Sequence, residues 1–157
     1  MKFTKSKKPV AAVVFLFVFA LACAAQAKIK PGLPTTAPVV SSQAAIKSSP
    51  AFAEVLLRKT ELEAALDDLT VEFTDEYPKV KETRFALGLI RKEYERILAV
   101  PDAAKLTLGL GKLILRKVEM ETDLWSLLQR YDEDHNDVKR ARRKVATFEK
   151  AIKEILS

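Results

Sequence analysis

The sequence contains few of the residues that form metal, redox and nucleophilic sites. Its 157 residues include one cysteine, Cys23, one histidine, His135, and four glycines. One cysteine cannot form an intramolecular disulfide, and one cysteine with one histidine supplies too few ligands for a transition-metal site. Glycine-rich phosphate loops, nucleophile elbows and zinc motifs are absent as well. We therefore expect no catalytic residue, no metal and no cofactor, and we expect that the protein is not an enzyme.

An apolar run lies near the N-terminus, but it is short for a membrane span. It covers Val10–Ala25, sixteen residues, whereas a membrane helix needs about 20. Four lysines precede the run, and Ala25-Gln26-Ala27 follows it with the small-x-small pattern of a cleavage site. We predict that residues 1–27 are a signal peptide and that the protein is periplasmic or secreted, in a bacterial envelope.

Two alternatives would hold the protein at a membrane. Residues 20–23 resemble an imperfect bacterial lipobox, in which Cys23 would carry a lipid. In the other alternative, the leader stays uncleaved and is itself the anchor. If cleavage follows Ala27 instead, the mature chain has no cysteine and therefore no thiol chemistry.

The formal charge of +6 comes from the N-terminal part of the chain. Residues 1–27 hold four lysines and no acid, so that +2 remains, and residues 28–50 hold three more lysines and no acid, which leaves −1 for the rest. A nucleic-acid-binding domain needs positive charge on its folded part. We therefore expect no nucleic-acid partner.

Residues 28–49 are rich in Pro, Ser, Thr and Ala, contain no acid and show no helical period. A segment of this composition buries too little surface to offset the entropy of ordering it. We predict that it is a flexible linker, and that a helix follows at Pro50 with Ser49 as its cap.

The remainder of the sequence repeats itself. Residues 56–98 align without a gap on residues 114–156, at an offset of 58 positions. Identical pairs are spread over the alignment and include Arg58/Arg116, Lys59/Lys117, Glu61/Glu119, Glu63/Glu121, Leu66/Leu124, Leu69/Leu127, Val80/Val138, Lys81/Lys139, Arg84/Arg142, Lys92/Lys150, Ile97/Ile155 and Leu98/Leu156. A period of this length indicates one supersecondary unit that occurs twice.

Seam positions in each copy recur at alternating intervals of three and four, which predicts two helices per copy that meet along a coiled-coil seam. The first helices carry Phe52, Val55, Lys59, Leu62, Leu66, Leu69 and Phe73, and Leu110, Leu113, Lys117, Met120, Leu124, Leu127 and Tyr131. The return helices carry Val80, Thr83, Leu87, Ile90, Tyr94 and Ile97, and Val138, Ala141, Val145, Phe148, Ile152 and Ile155. Lys59 and Lys117 share one seam position, where a lysine either extends to solvent or sets the register.

A short turn separates the two helices of each copy, so that each copy is an antiparallel hairpin. The structural residues of the turns are Phe73, Tyr77 and Pro78 in the first copy and Tyr131, His135 and Asn136 in the second. Pro78 suits the first position of the helix that follows it. In the second copy we expect Asp134 and Asn136 to be the caps.

We place hairpin 1 at residues 50–98 and hairpin 2 at residues 99–157, with residues 102–111 also helical. One hairpin buries too little apolar surface to offset the ordering entropy of its backbone. Further apolar residues beside the seam indicate that the hairpins pack together: Leu56, Leu57, Ile114, Leu115, Trp125 and Leu128. We predict an all-α, coiled-coil-like four-helix arrangement, either within one chain or shared across a dimer.

The turn sequences resemble a known element. Each copy contains Leu-x-x-Leu-x-x-x-(Phe/Tyr)-x-x-x-(Tyr/His)-(Pro/Asn)-x-Val, at residues 66–80 and 124–138. The pattern is similar to the coiled-coil hairpin of polysaccharide chain-length determinant and exopolysaccharide-transport proteins, where His-Pro-x-Val is usual. Hairpin 1 keeps Pro78, and hairpin 2 keeps His135. The resemblance implies a hairpin geometry and an envelope setting, and it does not carry over the activity of that family.

One strong basic run is present, composed of Lys139, Arg140, Arg142, Arg143 and Lys144. It is either a solvated helix face balanced by nearby acids or a site for an anionic polysaccharide or lipid. Our first hypothesis is a non-enzymatic structural or interaction module that binds a protein partner or itself. The alternative is a binder of anionic envelope polymers or lipid surfaces through residues 139–144.

Overall fold

The computed structural model describes residues 42–157. The predicted signal peptide, the lipid on Cys23 and most of the predicted linker lie outside the described residues. The described part contains helices and no strand: α1 (Ser42–Lys47), α2 (Pro50–Glu72), α3 (Pro78–Leu98), a 3-10 helix (Ala103–Lys105), α4 (Leu108–Leu128) and α5 (Asn136–Leu156). The predicted all-α fold of packed helical hairpins is confirmed.

Hydroxyl side chains cap the first helix of each hairpin at equivalent positions, 58 residues apart. The Ser49 hydroxyl accepts a hydrogen bond from the Phe52 N–H (3.3 Å), and the Thr107 hydroxyl accepts one from the Leu110 N–H (3.2 Å). Each bond satisfies a donor that the first helical turn leaves without a partner. The predicted start of α2 at Pro50, with Ser49 as its cap, is confirmed.

The return helices α3 and α5 also begin at equivalent residues. Pro78 is the first residue of α3, as predicted. At the start of α5 the predicted caps are wrong, because the His135 ring nitrogen accepts the hydrogen bond from the Asp137 N–H (3.3 Å). Asn136 is instead the first helical residue, and Asp134 forms an ion pair with Lys139 (3.0 Å).

The linker predicted for residues 28–49 is wrong at its C-terminal end, where α1 forms. Ile46 on this helix is only 4% exposed and belongs to the hydrophobic core. Six residues are too few to show a helical period or to be stable as an isolated helix. Burial of Ile46 against the rest of the fold therefore orders the segment, and composition alone could not reveal it.

The continuous helix predicted for residues 102–111 is also wrong. The 3-10 helix ends at Lys105, and Leu106 and Thr107 leave the helical conformation before α4 begins. The Leu106 side chain is buried, and its carbonyl accepts a hydrogen bond from the Ala51 N–H (3.2 Å). Because the Thr107 hydroxyl then caps α4, the backbone gains more from a break than from a continuous helix.

Both corrected segments belong to the repeat. α1 ends at Lys47 and the 3-10 helix ends at Lys105, again 58 positions apart. Each repeat thus consists of a short leading helix, a hydroxyl cap and two long helices joined by a tight turn.

α4 packs against both helices of hairpin 1 and runs in the same direction as α2. At the closest approach, a Cβ on Gly111 would lie 3.0 Å from the Cα of Ala51 and 3.1 Å from the Cβ of Glu54. Farther along, the rings of Phe85 on α3 and Trp125 on α4 stack with centroids 5.2 Å apart. The groove between α2 and α3 is therefore filled by α4, and the main core lies among these three helices.

α5 packs along the outer side of α4 and is less covered than the other long helices. Val138 and Ile152 are its only buried residues in the described structure. The rest of its seam is half-buried: Ala141, Val145, Phe148 and Ile155.

The apolar residues predicted to join the hairpins fall into two groups. Ile114 is buried and Leu115, Trp125 and Leu128 are half-buried, whereas Leu56 is 38% and Leu57 is 58% exposed. The prediction is thus wrong for Leu56 and Leu57. These two align with Ile114 and Leu115. They lie on the face of α2 that corresponds to the face with which α4 contacts hairpin 1, and residues 42–157 leave this face of α2 open.

Candidate interaction surfaces

Both hairpin tips carry the same aromatic stack. The ring centroids of Phe73 and Tyr77 are 4.2 Å apart with an interplanar angle of 11°, and those of Tyr131 and His135 are 4.3 Å apart at 17°. Each pair joins the end of one helix to the cap of the next, so the predicted turn residues come together in both copies. The four rings remain exposed to solvent.

Two ion pairs fasten each turn to its return helix. Lys81 pairs with Glu76 and Arg84 with Asp75 in hairpin 1. The equivalent pairs in hairpin 2 are Lys139 with Asp134 (3.0 Å) and Arg142 with Glu133 (2.9 Å). Exposed pairs of this kind contribute about 1 kcal/mol at most. They hold each turn against the first turns of its return helix.

A cluster of charged side chains, the Lys117 cluster, joins α3, α4 and α5. Its members are Lys117, Glu93, Arg96, Glu121 and Glu149. The Lys117 ammonium lies 2.6 Å from a carboxylate oxygen of Glu93 and 3.1 Å from one of Glu149. Lys117 and Glu93 are buried, at 8% and 5% exposure. The cluster connects the two hairpins through groups that water reaches poorly.

Lys59 occupies the same seam position in hairpin 1 but has different surroundings. Its ammonium bonds to Glu63 (2.9 Å) on its own helix and lies 6.0 Å from the centre of the Tyr94 ring. Its side chain is 25% exposed, compared with 11% for Lys117. The lysine at this seam position thus extends toward solvent in hairpin 1, at Lys59. In hairpin 2, at Lys117, it makes polar contacts between helices.

Contacts and burial in the Lys117 cluster shift the pKa values of Lys117, Glu149 and Glu121. Burial would lower the pKa of Lys117, but the hydrogen bonds to Glu93 and Glu149 outweigh it and raise the pKa above its usual 10.5. Burial would likewise raise the pKa of Glu149, yet hydrogen bonds from Lys117 and Arg96 hold it below 4.5. For Glu121 burial prevails over its weaker contact with Lys117, so that its pKa is raised above 4.5.

The basic run predicted as an anion site does not form one patch. Arg140 and Lys144 line one flank of the α4–α5 seam, and Arg142 lines the opposite flank. Lys139, Arg140 and Arg142 also have carboxylate partners, in Asp134, Asp137 and Glu133. Only Arg143 and Lys144 of the run form no ion pair with a residue that the structure describes. Consecutive residues of a helix are rotated by about 100°, so neighbours in the basic run lie on different sides of α5.

A groove of about 310 Å³ runs between α4 and α5, and we call it the hairpin 2 groove. Five of its lining residues are equivalent to hairpin 1 residues that line the seat of α4: Met120 to Leu62, Asp137 to Lys79, Arg140 to Glu82, Ala141 to Thr83 and Lys144 to Ala86. In hairpin 1, α4 packs over this place, and its Val118 and Thr122 line the cavity of about 170 Å³ that remains there. In hairpin 2 no described residue occupies it.

A second groove, of about 450 Å³, lies where the tip of hairpin 1 meets the end of α4, beside Trp125. The Lys81–Glu76 ion pair of the tip is part of its wall. No group of three or more histidine, cysteine or acidic residues that could hold a metal occurs within residues 42–157. None of the helices in that range is both long and apolar enough to cross a bilayer.

Comparisons with family models, with curated proteins and with solved structures find no match for this chain. The sequence did not point to three members of the Lys117 cluster, Glu93, Arg96 and Glu149, of which Glu93 is the most buried. Its equivalent in hairpin 2 is Ala151, so the repeat carries no signal for it, and only its burial reveals its role.

Proposed function

We propose that this protein is an exported, non-enzymatic protein of the bacterial cell envelope, periplasmic or secreted, that works as a helical interaction module. Its partner contributes an amphipathic helix to the hairpin 2 groove. The export part of the proposal rests on the signal-peptide pattern of residues 1–27, and the envelope setting also on the resemblance of the turns.

One observation supports the interaction role above the others. Hairpin 1 already binds a helix, α4, in the groove between its two long helices, and hairpin 2 has the equivalent groove open among the described residues. Repeated helical units bury their apolar faces by stacking on neighbours, and a terminal unit without a neighbour presents a free face. The half-buried seam residues of α5 fit a helix that needs such cover.

Site-specific photo-crosslinking in cells tests the proposal. A photoreactive side chain at Lys144, inside the groove, is compared with one at Lys150, which is exposed on the same helix but does not line the groove. We expect one protein adduct of defined mass from position 144 and none from position 150. Equal labelling at both positions, or no adduct from either, would contradict a groove that binds a partner.

A second candidate function is binding of an anionic envelope polysaccharide or lipid surface. Arg143 and Lys144, whose charges have no carboxylate partner among residues 42–157, favour it. We expect Arg143→Glu with Lys144→Glu to abolish salt-sensitive retention on anionic glycolipid vesicles under this function. Lys150→Glu with Lys153→Glu reverses the same number of charges on α5 and is the control. Unchanged retention in the first variant would rule this function out.

A further inference from the structure

The repeat implies a second open surface, on the other side of the molecule. The face of α4 that contacts hairpin 1 contains Gly111, Ile114, Leu115, Val118 and Thr122. Its equivalents on α2 are Ala53, Leu56, Leu57, Thr60 and Ala64, and we call these the open α2 face. All five of these residues are exposed. Residues 42–157 therefore contain a groove that no described helix occupies and a helix face that no described groove receives.

We propose that the occupant of the hairpin 2 groove is α2 of a second copy of this chain, docked through the open α2 face. This rests on the proposed function and names its partner. The arrangement places α2 of one copy on hairpin 2 of the next, as α4 lies on hairpin 1 within one chain. The contact is heterologous, with different surfaces on the two copies, so that it can continue from copy to copy.

The contacts that seat α4 have counterparts in the contact between copies. Gly111 of α4 meets Ala51 at the closest approach within the chain. The equivalent residues are Ala53 of the docking helix and Gly109 of the receiving helix. One glycine is kept at this crossing, but on the opposite helix. The close contact at Gly111 is with a Cα atom, which Gly109 also has, so Ala53 requires the docking α2 to lie a few tenths of an ångström farther from the receiving helix than α4 lies from α2.

At a second equivalent position, the contact within the chain is aromatic and the contact between copies would be charged. Phe85 and Trp125 stack where α4 crosses α3. Their equivalents are Arg143 on the receiving hairpin and Asp67 on the docking helix. Both side chains are exposed, and neither forms an ion pair with a described residue. An arginine and an aspartate thus stand where the filled groove has a complementary pair.

The overall charges of the two helices agree with this pairing. α2 has six carboxylates and two cations, a formal charge of −4, whereas α5 has seven cations and three carboxylates, a formal charge of +4. Complementary potentials guide association and fix its orientation. Arg143 of the basic run then has a carboxylate partner, Asp67 of the next copy, without an external anion.

A charge exchange tests the contact. The chain is expressed from its complete sequence, purified as the host processes it, and its mass is followed with concentration by sedimentation. We expect the mass of the unaltered protein to rise beyond one chain as concentration increases. Asp67→Arg and Arg143→Asp should each weaken association roughly tenfold or more, because each puts like charges in contact. Lys150→Asp, on the same helix outside the groove, should leave it unchanged.

Recombination of the changes distinguishes this contact from other modes of association. We expect association to return when the Asp67→Arg and Arg143→Asp chains are mixed, and also in one chain with both changes, because arginine then faces aspartate again. Failure of both rescues, or a single-chain mass at all concentrations, would overturn the proposal.

An engineered disulfide gives a second readout that does not depend on charge. The atoms equivalent to the Gly111 and Glu54 Cβ positions, 3.1 Å apart within the chain, belong to Ala53 and Lys112. With Cys23→Ser in every chain, we expect Ala53→Cys and Lys112→Cys chains to form a mixed disulfide dimer, and neither to form one alone. Dimers of Ala53→Cys with itself would overturn the head-to-tail geometry. A single-chain mass together with a foreign adduct at position 144 would refute self-association and leave the proposed function standing.

Discussion

Lys117 and Lys59 show what burial does to the same side chain at the same seam position. Removal of Lys117 would leave the buried carboxylate of Glu93 without its closest cation. Loss of one partner of a buried pair costs about 3–5 kcal/mol, and loss of an exposed one about 1 kcal/mol or less. We therefore expect Lys117→Ala to lower the free energy of unfolding by about 3 kcal/mol and Lys59→Ala by about 0.5 kcal/mol. Urea unfolding measures both, and equal losses would contradict the difference in burial.

Two of the three glutamates that face Lys117, Glu149 and Glu121, should respond to pH in opposite directions. Because the folded-state pKa of Glu149 is depressed below 4.5, its contribution is present above that pH and is lost as pH falls through the lower folded value. The pKa of Glu121 is raised, so its ionised form opposes folding above about the same pH.

Substitution of each by glutamine separates these effects. Glu149→Gln should cost on the order of 1 kcal/mol at pH 7, and the loss should shrink as the pH is lowered below 4.5. Glu121→Gln, the matched change in the same cluster, should be neutral or stabilising at pH 7. Thermal unfolding of the two variants is compared at pH values from about 3 to about 7, a range that brackets the usual pKa of glutamate. A Glu121→Gln protein that is less stable than Glu149→Gln at pH 7 would contradict the assignment.

At the scale of helices, the contact between α2 and α4 depends on the absence of a side chain at Gly111. Alanine is favoured over glycine in a helix by about 1 kcal/mol, and Gly88, with nothing within 4 Å of its Cβ position, should show this gain. A Cβ on Gly111 would press on the backbone of Ala51 at 3.0 Å. We expect Gly88→Ala to stabilise the protein by about 1 kcal/mol and Gly111→Ala to destabilise it by a similar amount. Stabilisation by both changes would show that α2 and α4 are not in close contact.

Much of this element structure was predictable from the sequence. The intervals of three and four between apolar residues predicted the long helices, and Ser49 with Pro50 predicted where α2 begins. The offset of 58 positions predicted that the two hairpins are equivalent. Local patterns could not show α1, whose order depends on burial of Ile46 by distant residues. They could not show the break at Thr107 either, because its hydroxyl competes with helix continuation only once Leu106 is buried.

The candidate surfaces were less accessible to sequence reasoning. The turn residues were predicted because they are local, and the stacks at both tips follow from their spacing. The basic run looked continuous in sequence, but α5 distributes it over two flanks of a seam. The exposure of Leu57 and the burial of Glu93 depend on which helix packs where. Neither can be read from one hairpin alone.

Residues 42–157 form a stack of two hairpins in which hairpin 2 covers hairpin 1, whereas no described residue covers hairpin 2. Equivalent residues 58 positions apart therefore differ in exposure: Ala86 is 8% exposed beneath α4, whereas its counterpart Lys144 faces the hairpin 2 groove. The exposed Leu57 and the half-buried Leu115 show the same inequality at the other surface. The repeat thus explains why an apolar face of α2 is exposed and why the seam residues of α5 are only half-buried.

Cysteine labelling at two equivalent positions, one in each hairpin, compares the groove of hairpin 1 with the hairpin 2 groove. In a Cys23→Ser background, Ala86→Cys and Lys144→Cys are labelled with a small maleimide at low protein concentration. We expect slow labelling at position 86, limited by opening of the fold, and rapid labelling at position 144 that slows as concentration rises and copies associate. Equal rates at the two positions would show that α4 does not cover the groove of hairpin 1 or that the hairpin 2 groove is not open.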